Sequence, residues 1–152
     1  MRDIFATFNL MRSGNTESRE TAVAGLLAFL WVYEVEYVKC VDAFCYLLTE
    51  NGHDLFYRNK YVHELEDIGK VDVYTKLNFL EEHNFGLLRR EEDEMIRNKI
   101  AHHDFVIDES GKVFMHDKEV DIGSKFDELT SFTQKVHETF FSCLDELRFK
   151  DE

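Results

Sequence analysis

The stretch TESRETAVAGLLAFLWVYEVEYVKCVDAFCYLLT, residues 16–49, decides the fold class. Its apolar residues recur at alternating steps of three and four, which is the spacing of one face of an α-helix. This stripe consists of Leu27, Leu30, Tyr37, Val41, Phe44 and Leu48. Asn15 or Thr16 can cap the start of the helix, and Asn51-Gly52 offers a left-handed exit at its end. We therefore expect one long amphipathic helix here.

The middle of the chain predicts shorter helices. Residues 53–68 show no clean period, and only their second half favours a short helix. Asp72 is suited to cap a helix whose inward residues would be Val73, Leu77 and Leu80. A further helix is expected over residues 87–103.

The last third predicts a small hairpin followed by a closing helix. Two apolar runs, residues 105–107 and 113–115, flank the turn sequence of residues 108–111. Ser124 stands three residues before Asp127, which is the spacing of a capping box. The closing helix would then bury Phe126, Leu129, Val136, Phe140, Leu144 and Leu147.

Composition supports a helical fold in one domain. The chain of 152 residues has no proline, 44% hydrophobic residues and 14 phenylalanines, so long helices can run uninterrupted around a sizeable core. No linker or repeat divides it. We expect a single all-α domain over residues 1–152, an up-and-down bundle of about five helices with a small β-hairpin before the last helix.

Charge and cysteine content indicate the compartment. The formal net charge is −13, which argues against broad binding to nucleic acid or anionic lipid, so any RNA contact would be local. Cys40, Cys45 and Cys143 form no disulfide framework and predict core packing in a reducing cytoplasm. The most apolar stretch, residues 21–33, is shorter than the ~20 residues that cross a bilayer, and Glu34 follows it. We expect no membrane association.

The segment Arg97-Asn98-Lys99-Ile100-Ala101-His102-His103 gathers the side chains best suited to catalysis. Arginine can hold a phosphate through paired donors, and histidine can move protons near neutral pH. The acids at 91–94 precede it as the solvated start of a helix, where the helix dipole favours negative charge. The alternative is structural: a histidine at a helix end interacts favourably with the dipole without any catalytic role.

Helical geometry favours a two-fold assembly of this segment. Arg97 and His102 lie roughly 140° apart around a regular helix, whereas Asn98 and His102 share a face. A second copy of the helix would complete a cleft that one copy presents poorly. Ala101 is small enough to let two such helices approach. We therefore expect a homodimer through this helix.

These residues resemble the signature of the HEPN superfamily, an Arg followed after four to six residues by His, frequently with Asn directly after the Arg. Arg97-Asn98 and His102 match that form, and the lead-in KLNFLEEHNFGLL at residues 76–88 and the order of the elements are also similar. The resemblance covers about residues 16–147. One toxin branch of the family has Tyr two residues after the His, where this chain has Asp104.

The resemblance implies a helical dimer that, in active members, cuts RNA without metal or cofactor and leaves a 2′,3′-cyclic phosphate and a 5′-hydroxyl. His102 would act as general acid or base, Arg97 would bind the phosphate, and Asn98 would orient the helix end or the substrate. The implied setting is stress response, a toxin–antitoxin pair with a cognate antitoxin or another protein partner, or phage defence. A non-catalytic HEPN-like dimer that binds a nucleotide, RNA or protein is the alternative.

Glu34 is a further site candidate, because it stands where the helical stripe calls for an apolar residue. A buried acid requires a partner. Some members of the family place an acid against the motif arginine, which suggests an ion pair of Glu34 with Arg97. The alternative is that Glu34 lies at the edge of the stripe and reaches water. The seven histidines show no metal-binding spacing, and we expect neither a metal nor a cofactor.

Overall fold

A computed structural model describes residues 19–148, with side chains as far as residue 142. The helices in this range are α1 (Arg19–Trp31), α2 (Val38–Glu50), α3 (Leu65–Ile68), α4 (Val73–Glu82), α5 (Glu91–Ala101) and α6 (Ile122–Arg148). The strands are β1 (Leu55–Tyr57), β2 (Lys60–Val62), β3 (Val106–Ile107), β4 (Val113–Met115) and β5 (Lys118–Val120). The fold is mostly helical, as predicted, and adds two small antiparallel sheets.

The contacts within the chain define two compact units. The first contains the described residues up to Tyr33 and from Glu91 onward, and the second contains residues 34–90. In the first unit α1 packs against α5 and α6, and β3, β4 and β5 form a three-stranded sheet. In the second unit α2 packs against α3 and α4, and β1 pairs with β2. The single-domain organisation stays a prediction.

Helices α1 and α2 belong to one continuous helical stretch, Arg19–Glu50, as the sequence predicted. A π-helical segment, Val32–Tyr37, separates them. The predicted caps Asn15 and Thr16 lie outside the described residues. The predicted exit is confirmed: Gly52 has a φ of 86°, and the N–H of His53 donates to the carbonyl of Leu48 at 3.1 Å.

The π-helical segment explains why the predicted apolar stripe is wrong near its start. Tyr37 and Val41 are buried as expected, but Leu27 is 58% exposed. Instead Leu26 and Phe29, each one position before a residue of the predicted stripe, are buried. A π turn accommodates one residue more than an α turn, so the buried face upstream shifts by one position.

The length and hydropathy of Arg19–Glu50 also correct the expectation that this region is too short for a bilayer. The stretch has 32 residues and an 18-residue window apolar enough to span a membrane. Buried core helices of soluble proteins have the same character, and 44% of that window is buried within the fold.

The second unit contains a hairpin that the sequence analysis missed. Leu55 pairs with Val62 and Phe56 with Tyr61, and the two-residue turn Arg58-Asn59 has φ values of 48° and 64°. Positive φ at both positions is typical of the tight turns that match strand twist. The short helix expected in the second half of residues 53–68 is confirmed as α3.

Helix α4 begins and ends as predicted. Asp72 accepts a hydrogen bond from the N–H of Thr75 at 2.8 Å, which caps the first turn. Leu77 and Leu80 are buried, Val73 is half-buried, and Asn84 ends the helix with a φ of 70°.

The predicted helix over residues 87–103 is shorter in the structure. Gly86–Leu88 forms a single 3₁₀ turn, Arg89 is extended, and α5 starts at Glu91. Four acids occupy its first turn, where the exposed backbone N–H groups favour negative charge. The helix ends at Ala101 because His103 has a φ of 56°, outside the helical region.

The predicted hairpin is confirmed but has a third strand. Val106 pairs with Phe114, and β4 then turns back at His116-Asp117 to pair with β5. The closing helix α6 begins at Ile122, two residues before the predicted cap Ser124. Its first turn is capped by Asp121, whose Oδ1 accepts the N–H of Ser124 at 3.0 Å. The predicted capping box of Ser124 and Asp127 is therefore wrong.

The predicted buried face of α6 is confirmed over its first turns and is only partly buried further along. Phe126 and Leu129 are buried, and Val136 and Phe140 are half-buried. The side chains of Cys143, Leu144 and Leu147 lie outside the described residues.

Candidate functional site

Helix α5 holds the predicted motif and is fixed in the first unit by its apolar side. Ile96 and Ile100 are almost completely buried, at 1% and 7% exposure, and α5 packs against α1. At its start, Lys125 of α6 forms an ion pair with Glu92 at 2.9 Å, and this carboxylate raises the pKa of Lys125. Two buried isoleucines one turn apart therefore leave the residues between them on the other sides of the helix.

Arg97 and Asn98 come together on the last turns of α5. The Nη1 of Arg97 donates to the Oδ1 of Asn98 at 2.9 Å, Arg97 is half-buried, and Asn98 is exposed. The amide oxygen thus holds one edge of the guanidinium. A guanidinium carries five N–H donors in a fixed plane, the geometry that suits paired hydrogen bonds to an anion.

His102 lies at the cap of α5, directly after its last helical residue. Its backbone N–H donates to the carbonyl of Asn98 at 3.0 Å, which confirms that His102 lies one turn beyond Asn98. The N–H of His103 donates to Ile100, and that of Asp104 donates to Lys99 at 2.8 Å. These two bonds and the positive φ of His103 form a Schellman cap, which satisfies the last carbonyls and leaves both imidazoles exposed.

The end of α5 also carries an ion pair that the sequence analysis did not anticipate. The Nζ of Lys99 pairs with the Oδ2 of Asp104. The hydrogen bond and charge of Lys99 lower the pKa of Asp104, and the charges of His116 and His102 act in the same direction. Asp104 is therefore a carboxylate with three basic groups around it.

His116 joins this neighbourhood through the three-stranded sheet. The turn His116-Asp117 has φ values of 49° and 60°, which returns the chain from β4 to β5. An open groove of about 610 Å³ lies between this turn and the chain that follows α5, lined by residues 103–106 and by Phe114, His116 and Asp117. Sequence reasoning missed the groove. No local pattern in the sequence signals it, because strands of three residues are too short for a clear alternation.

The fourth predicted residue, Glu34, belongs to the second unit. It lies in the π-helical segment and is half-buried, not fully buried as the stripe required. π-helical turns recur at functional sites, so its position keeps Glu34 a candidate. Its ion pair with Arg97 stays a prediction.

The acids at the start of α5 differ from the expected solvated run. Glu91 and Glu92 are exposed, whereas Asp93 is 1% exposed. The first turn of α5 is thus partly inside the fold, and the helix runs from an acidic start to a basic end.

Two of the predicted core cysteines are confirmed. Cys40 and Cys45 are buried free thiols, and burial raises their pKa to about 11 and about 12. Among the side chains described, those of residues 19–142, no group of three or more His, Cys, Asp or Glu is arranged to hold a metal ion.

Comparison of the chain with models of known families, with characterised proteins and with solved structures finds no match.

Proposed function

We propose that the protein is a metal-independent endoribonuclease of HEPN type that acts as a homodimer in the cytoplasm. The observation that carries the proposal is the end of α5. There an arginine and an asparagine bonded to each other precede, by one turn, an exposed histidine at the helix cap. The proposal includes an up-and-down helical bundle as the scaffold.

The proposed reaction is an internal transfer of a phosphodiester. The 2′-oxygen of a ribose attacks the adjacent phosphorus and gives its proton to a base. The bond from phosphorus to the 5′-oxygen breaks, and that oxygen takes a proton. The products are a 2′,3′-cyclic phosphate and a 5′-hydroxyl, and no electron is gained or lost.

The residues at the end of α5 have the chemistry for these steps. The imidazole of His102 can accept or donate the proton, since it is exposed to solvent and substrate. The donors of Arg97 can hold the phosphate and stabilise the charge that develops on it. Asn98 positions the guanidinium through its 2.9 Å hydrogen bond.

Dimerisation through α5 would place two copies of these groups around one cleft. Ala101, at the last position of α5, is exposed and small, which permits close approach of a second helix. A second copy of Arg97 would add a second guanidinium to the cleft on a protein of net charge −13, whereas Lys99 is already paired with Asp104.

The first experiment is RNA cleavage in EDTA by the wild type, Arg97→Ala, His102→Ala and the double variant. We expect each single variant to lose about 10²–10⁴-fold in rate, the range for a lost proton-transfer group or charge stabiliser. Arg58→Ala and His53→Ala remove exposed residues of the same types from the second unit and should leave the rate unchanged. Equal cleavage by the purified double variant would refute the proposal.

The products provide a second, independent test. A strand with 2′-O-methyl groups should be inert, because the attacking 2′-oxygen is blocked. The new 5′ ends should accept phosphate from a kinase directly, since they are hydroxyls. Cleavage of the methylated strand or of DNA would show a different reaction.

The dimer has its own test by light scattering over a range of protein concentrations. Ala101→Glu should produce monomers and abolish cleavage, whereas Ser131→Glu, an exposed change on α6, should do neither. A monomeric wild type at the concentrations where it cleaves RNA would contradict the shared cleft.

The biological setting follows from the same activity. Induced expression of the wild type should arrest growth, as expected for a toxin or phage-defence nuclease, and His102→Ala should not. A protein that binds RNA without cutting it would instead be the non-catalytic module.

A further inference from the structure

The groove beside the motif has a composition that is distinct from the motif itself. Residues 103–106 form one wall, and Phe114, His116 and Asp117 contribute from the sheet. The groove therefore combines two phenyl rings, two imidazoles and two carboxylates within about 610 Å³. This volume lies near the middle of the range for ligand pockets, about 300–1,000 Å³, and accommodates one nucleoside.

The aromatic side chains in the groove are presented by the sheet and the connector. Phe114 lies between Val113 and Met115, which are 4% and 3% exposed, so it projects from the opposite face of β4. There it remains half-buried, as does Phe105. A ring held by the backbone at partial exposure is a suitable surface for stacking a base.

The carboxylates determine which part of a nucleotide fits. Asp104 and Asp117 both line the groove, and the carboxylate of Asp117 disfavours a phosphate beside it. Asp104 is paired with Lys99, whereas the carboxylate of Asp117 makes no hydrogen bond or ion pair with the side chains and backbone described for residues 19–142. An ionised carboxylate only accepts hydrogen bonds. The groove is therefore suited to a flat ring that carries hydrogen-bond donors along one edge.

Guanine is the base that meets this requirement. Its N1–H and N2 amino group are adjacent donors that can both reach one carboxylate. Adenine and cytosine each place a ring acceptor beside their amino group, and uracil flanks its single N–H with two carbonyls.

We propose that this groove binds a guanine of the RNA strand, stacked on Phe114 and read by the carboxylate of Asp117, beside the phosphate held at Arg97. The choice of RNA as the source of the base rests on the proposed function. The recognition of guanine rests on the groove alone.

The test compares the wild type with Asp117→Asn. Asparagine tolerates the φ of 60° at this turn position, so the hairpin is retained while the carboxylate is lost. The probes are guanosine 3′-monophosphate, adenosine 3′-monophosphate, and two oligoribonucleotides that differ only by a G-to-A change. Glu109→Gln, an exposed acid outside the groove, is the matched control.

We expect the wild type and Glu109→Gln to prefer the guanine form of both probes by about tenfold, the order of one good bidentate contact. Asp117→Asn should bring the preference within about threefold, and Phe114→Ala should weaken binding of both bases alike. Equal binding of the two bases by the wild type, or an unchanged preference in Asp117→Asn, overturns the proposal. A preference for guanosine over adenosine 3′-monophosphate, without the same preference between the two oligonucleotides, overturns RNA as the source of the bound guanine.

The outcomes separate this proposal from the ribonuclease. Arg97→Ala and His102→Ala should bind guanine with the wild-type preference while failing to cleave. If the wild type binds the guanine oligonucleotide selectively but never cuts RNA, guanine recognition by the groove is supported and the ribonuclease proposal is refuted. If the wild type cleaves RNA without base preference and Asp117→Asn cleaves it equally well, the ribonuclease proposal is supported and guanine recognition by the groove is refuted.

Discussion

The Nζ of Lys76 lies 2.5 Å from the Oδ1 of Asp42, and the two side chains are only 1% and 4% exposed. This ion pair joins α2 and α4 inside the second unit. A buried charge is costly to leave alone, so the partners depend on each other far more than a surface pair does. Lys39, at 3.4 Å from the other oxygen of Asp42, is 68% exposed and adds little.

Breaking this pair should strongly destabilise the protein. We expect Lys76→Met or Asp42→Leu alone to lower the free energy of unfolding by about 3–5 kcal/mol, because each leaves one charge buried without its partner. The double variant should lie close to the wild type in urea denaturation. Lys39→Met, the control, should cost less than about 1 kcal/mol. Additive losses in the double variant would show that the two residues act separately.

The cap of α5 leads to a stabilising prediction. His103 has a φ of 56° at the position where glycine is preferred, so His103→Gly should raise the free energy of unfolding by about 1 kcal/mol at pH 8. Thermal unfolding measures the change. Gly52→Ala is the reverse control: a Cβ there would meet nothing within 4 Å, but the φ of 86° should make it destabilising by a similar amount. A less stable His103→Gly would mean that the imidazole itself supports the helix end.

The buried thiols should be inert in the folded protein. Burial raises the pKa of Cys40 to about 11 and that of Cys45 to about 12, so at pH 8 neither forms appreciable thiolate. In a Cys143→Ser background, iodoacetamide should label neither residue until urea unfolds the chain. Rapid labelling at pH 8 without denaturant would show that the α2 region opens.

The charge environment of Asp104 can be measured by NMR titration. Lys99 is the main reason that the pKa of Asp104 lies below its ordinary value of 3.8, so Lys99→Met should move that pKa upward toward 3.8. Because the folded pKa is lowered, the pair stabilises the fold above pH 3.8, and this contribution is lost as the pH falls through the folded pKa. His116→Ala should produce a smaller upward shift. An unchanged pKa in Lys99→Met would place the cause elsewhere.

The helices could be predicted from the sequence because their signals are local. Asp72 at the start of α4 and Asn51-Gly52 at the end of α2 lie where the structure has them. The two-residue turns could not be predicted in this way, since Arg58-Asn59 and His116-Asp117 lack the glycine that marks such turns. Their strands have only three residues each, too few for a clear alternation.

The candidate site was predictable only in part, for the same reason. Arg97, Asn98 and His102 are close in the chain, and helical spacing fixes their relation. His116 approaches Asp104 only because β4 pairs with β3 and a tight turn follows. That proximity depends on strand register, which the residues of α5 do not encode.

The π-helical segment Val32–Tyr37 accommodates one extra residue between α1 and α2 within one continuous helical stretch. Deleting one residue there would remove the extra residue that the π turn accommodates, and a regular α-helix would keep the buried faces of α1 and α2 as they are. A one-residue deletion within residues 32–37 should therefore be tolerated, whereas the same deletion in the middle of α2 would turn part of its buried face by about 100°.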